Sequence, residues 1–62
     1  MCESTAYVKR GGREEKLMGD VAHVAFEGES LVLTGILGER LQLRARVVDL
    51  DLVGHRILLE ER

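Results

Sequence analysis

Arg40-Leu41-Gln42-Leu43-Arg44-Ala45-Arg46-Val47 is the stretch whose reading decides the fold. Polar and apolar residues alternate through Arg40–Arg44, and Leu41, Leu43, Ala45 and Val47 keep the period of two. Successive side chains of a strand point to opposite faces, so this pattern gives one apolar and one wet face. A helical turn or two over Gly38–Val48 is the rival reading, because Glu, Arg, Leu, Gln and Ala all favour helix. The unbroken alternation ranks the strand first.

Working outward, the rest of the chain also reads as strands and turns. Ser4–Lys9 mixes β-branched, aromatic and polar residues as a first strand, and Gly11-Gly12 marks a tight hairpin turn. Glu14–Met18 is a short second strand and Gly19-Asp20 a break, after which Val21–Phe26 resumes. Glu27–Ser30 is a turn. Leu31–Leu37 is almost wholly apolar, as in a strand buried on both faces. Val47–Leu50 forms another strand, Val53-Gly54-His55 a turn, and Arg56–Glu60 the last strand. Five to seven short strands at this spacing predict an all-β chain, a small antiparallel barrel or sandwich. No repeat, linker or boundary divides residues 1–62, which read as a single domain.

At 62 residues and 45% hydrophobic, such a chain buries only about 60% of its unfolded surface. Disulfides, a metal or oligomerisation are the usual remedies. One cysteine makes no internal disulfide, so a homodimer is expected. The formal charge of −2 offers no overall basic field, which argues against nucleic acid as a partner. Apolar runs of four or five residues fall far short of the ~20 needed to cross a bilayer. No cationic start with an apolar stretch marks a signal peptide, and the free thiol points to the cytoplasm.

That thiol is Cys2, the one cysteine of the chain. Removal of Met1 would make it the first residue, with amine and thiolate able to close a five-membered chelate ring on a metal. Thiolates suit Ni, Zn and Cu(I), and square-planar sulfur and nitrogen donors suit Ni(II). The adjacent ammonium would raise the thiolate fraction at neutral pH. Against this stands the ordinary reading of a lone cysteine as a small hydrophobe or an incidental surface thiol.

Met1-Cys2 opening a strand, a glycine-containing hairpin, Gly19-Asp20-Val21 and the ending Ile57-Leu58-Leu59-Glu60-Glu61 run the length of the chain. Together they resemble the CooT family, small nickel-binding proteins that accompany nickel delivery to carbon monoxide dehydrogenase. The resemblance implies a dimeric, SH3-like small β-barrel that binds Ni(II) through Cys2. It further implies a nickel chaperone or accessory role, with the nickel enzyme or its maturation factors as partners. Cys2 is the one functional residue carried over. Two subunits, each giving an amine and a thiolate, would complete an N2S2 plane; with Met1 retained, the Cys2 amide nitrogen would replace the amine.

The remaining candidates read as ordinary surface. His23 and His55 match no zinc spacing such as paired histidines at i, i+4; His23 ranks above His55 because strand pairing could bring it near the first strand. Glu3 reads as a solvated side chain, with touching the metal, or tuning it from beyond its direct ligands, as the lesser alternative. Glu27, Glu29, Glu60 and Glu61 are hard oxygen donors suited to Mg or Ca rather than nickel. Asp49 and Asp51 share a strand face but need a cleft for acid–base work. No Ser-His-Asp set or phosphate loop is present, so no enzyme is expected. Lys9, Arg10, Arg13 and Lys16 crowd the first hairpin and supply the alternative of a small-barrel RNA-binding protein, although Glu14 and Glu15 cut their field. A purely structural interaction domain is the third possibility.

Overall fold

Ser4–Arg10, Arg13–Glu27, Ser30–Gly35, Arg40–Asp51 and Arg56–Glu61 form strands β1 to β5 in a computed structural model that describes residues 3–62. Each strand pairs antiparallel with the next. β1 also pairs parallel with β5, Thr5 opposite Arg56 through Lys9 opposite Glu60, and this closes the ring. The all-β expectation holds, at five strands. The parallel pair is a feature that the local alternation of Leu, Val and Arg carries no information about.

Five suffice because two predicted breaks are not breaks. Gly19-Asp20 lies inside β2, which runs continuously for 15 residues. The pairing register jumps between Ser4 and Ala6, again between Ala6 and Tyr7, and once more between Val21 and His23. Such bulges bend a strand without ending it. β2 therefore pairs with β1 through its first half and with β3 through its second. β4 does the same between β3 and β5, with a register shift between Val47 and Asp49, so Arg40–Arg44 and Val47–Leu50 are one element. β3 stops at Gly35, two residues short of the predicted end at Leu37.

The core comprises Ala6, Val21, Leu31, Leu33, Ala45, Ile57 and Leu59, with Leu17, Met18, Val24, Leu41, Leu43 and Val47 packed against it. In β4 the alternation is literal: Arg40, Gln42, Arg44 and Arg46 are exposed, while Leu41, Leu43, Ala45 and Val47 turn inward. Leu31, Val32 and Leu33 are buried in succession, as expected for a strand covered on both faces. The hairpin between β1 and β2 needs its glycines: Gly11 and Gly12 take φ of 55° and 80°, the left-handed pair of a tight hairpin turn.

Candidate functional site

The first residues of β1 lie between two turns. On one side Ser4 pairs with Val21 of β2, and the neighbouring Asp20 carbonyl accepts the Ile36 amide N–H of the β3–β4 turn at 3.0 Å. On the other side Thr5 donates its N–H to the His55 carbonyl of the β4–β5 turn at 2.9 Å. Among the described residues, Asp20 and His55 are the two non-glycine residues at positive φ, 52° and 56°, a conformation that Asn, Asp and His tolerate better than most.

Each flanking turn is fastened by a carboxylate. Glu39 accepts the Leu37 N–H on Oε1 at 3.1 Å, and its side chain lies where a Cβ on Gly35 would fall. Asp51 accepts the Gly54 N–H on Oδ1 at 2.8 Å. Both turns present apolar side chains to solvent: Ile36 and Leu37 in one, Leu52 and Val53 in the other, with Leu50 just before it. A cluster of exposed apolar groups on a small protein marks a contact surface.

Glu3 precedes β1 and shares a hydrogen bond with the Asp20 carboxyl, which raises its pKa above the ordinary carboxylate value; the nearby Asp20 charge adds to the effect. Cys2, the predicted ligand, lies outside the described residues; connectivity alone sets it two residues ahead of Ser4. Among the described residues no group of three or more His, Cys, Asp or Glu could hold a metal ion. Of the two histidines, it is His55 whose backbone bonds to β1. His23 is exposed and pairs with Thr34 of β3, whereas His55 meets β1. A turn position said nothing in the sequence about which strand the turn would touch, and the parallel β1–β5 pairing supplies that contact.

One cation of the basic hairpin, Arg10, is compensated. Arg10 forms ion pairs with Glu15 and Glu61, both at 2.8 Å, which raises the Arg10 pKa through those two hydrogen bonds. Arg56 pairs with Glu14 at 2.7 Å and lies 4.6 Å from the centre of the Tyr7 ring. Tyr7 is thereby covered by a guanidinium rather than presented to a base. Arg44 pairs with Glu29 and Arg46 with Glu60. Asp51 is engaged by Gly54, so Asp49 and Asp51 form no free carboxylate pair. Among the described residues no helix is long and apolar enough to cross a membrane.

The model of the family described as CO dehydrogenase accessory protein CooT matches residues 1–60. An uncharacterized protein of Archaeoglobus fulgidus is 49% identical over 43 residues, which covers 69% of this chain and 96% of that protein. A crystal structure provisionally named CooT, from Carboxydothermus hydrogenoformans, superposes with a TM-score of 0.90 at 38% identity and covers 98% of each chain.

Proposed function

The chain belongs to the CooT family of CO dehydrogenase accessory proteins, and from that premise we propose that it binds Ni(II) through Cys2 and assists nickel delivery to carbon monoxide dehydrogenase. The nickel is cargo. The ring works as an SH3-like small barrel, paired as a homodimer in the cytoplasm. Each subunit contributes the Cys2 thiolate together with a nitrogen of its N-terminal segment. Two such pairs make the four-donor sulfur and nitrogen set that suits square-planar Ni(II).

One observation carries this reading. The start of β1, which Cys2 precedes by two residues, is fastened by backbone hydrogen bonds between two turns with exposed apolar side chains. A thiol tethered to a fixed strand is better placed than one on a free tail, and apolar surface beside it gives a second subunit something to cover. The carboxylates nearby, Glu3 and Asp20, are hard donors that rank behind thiolate for nickel; they tune charge near the metal.

The test is spectroscopic. Reduced protein titrated with Ni(II) should develop a thiolate-to-nickel charge-transfer band. Cys2→Ser should lose the band while the far-ultraviolet circular dichroism stays unchanged. A band that survives the substitution would refute Cys2 as ligand.

A further inference from the structure

We draw no further inference here: the strongest candidate, the exposed carboxylates Glu3, Asp20, Glu39 and Asp51 at the end of the ring where β1 begins, none of them in an ion pair among the described residues, is an acidic cluster beside which nothing in the structure points to a ligand.

Discussion

Thr5 donates its backbone N–H to the His55 carbonyl at 2.9 Å, and this bond ties the first strand to the turn between the last two. It sets the start of β1 beside the turn that carries the exposed Leu52 and Val53. His55 reaches that position by adopting a left-handed φ of 56°. His55→Gly should therefore change stability by less than about 1 kcal/mol, since glycine takes that φ freely. His55→Ile should cost about 1–3 kcal/mol, because a β-branched residue is strained there. Thermal unfolding of the two variants side by side checks the contrast; equal losses would contradict it.

Gly35 and Glu39 form a coupled pair. A Cβ at position 35 would overlap the Glu39 carboxylate and stand 2.9 Å from its Cγ, so Gly35→Ala must displace the side chain that accepts the Leu37 N–H. The expected loss is ~1 kcal/mol, the net worth of one exchanged hydrogen bond. In a Glu39→Ala background the same change should cost far less, and a double-mutant cycle in denaturant reads the difference. Additive losses would contradict the overlap.

Leu33 is fully buried at the centre of the ring. Leu33→Ala should cost about 2–5 kcal/mol, comparable with the whole stability of a small domain. The variant should be largely unfolded at 37 °C by circular dichroism.

Glu61 sits below the ordinary carboxylate range because it accepts hydrogen bonds from Arg10, and Glu60 is lowered likewise by Arg46. A depressed folded pKa means that the unfolded chain binds protons first. These pairs thus stabilise the fold above the unfolded carboxylate pKa, ~4.3, and the contribution is lost as pH falls through the folded value. Arg10→Met should raise the Glu61 pKa toward its ordinary value in a carbon-detected NMR titration. An unmoved Glu61 would show that Arg10 is not its partner in solution.

Much of the fold was legible because alternation is a local signal. Arg40–Val47 reads directly as a half-buried strand, and Gly11-Gly12 as a hairpin. What stayed hidden depends on contacts distant in sequence. Gly19-Asp20 looks like a break because glycine and a charged residue end most strands; here they bend β2 so that one strand serves two neighbours. The parallel β1–β5 pairing joins residues about fifty positions apart, and with it come the nearness of His55 to β1 and the neutralisation of Arg10 by Glu61. Composition hinted at the compensation through Glu14 and Glu15, but Glu61 was invisible as a partner. For the metal, the sequence offered Cys2 and nickel-compatible chemistry. The described residues add the two turns that fasten the strand it precedes.

The most direct test of the account is a calorimetric Ni(II) titration of reduced, tag-free protein, with Cys2→Ala in parallel. One nickel should bind per two chains, with no tight binding in the variant. One nickel per chain, or affinity that Cys2→Ala retains, would contradict it.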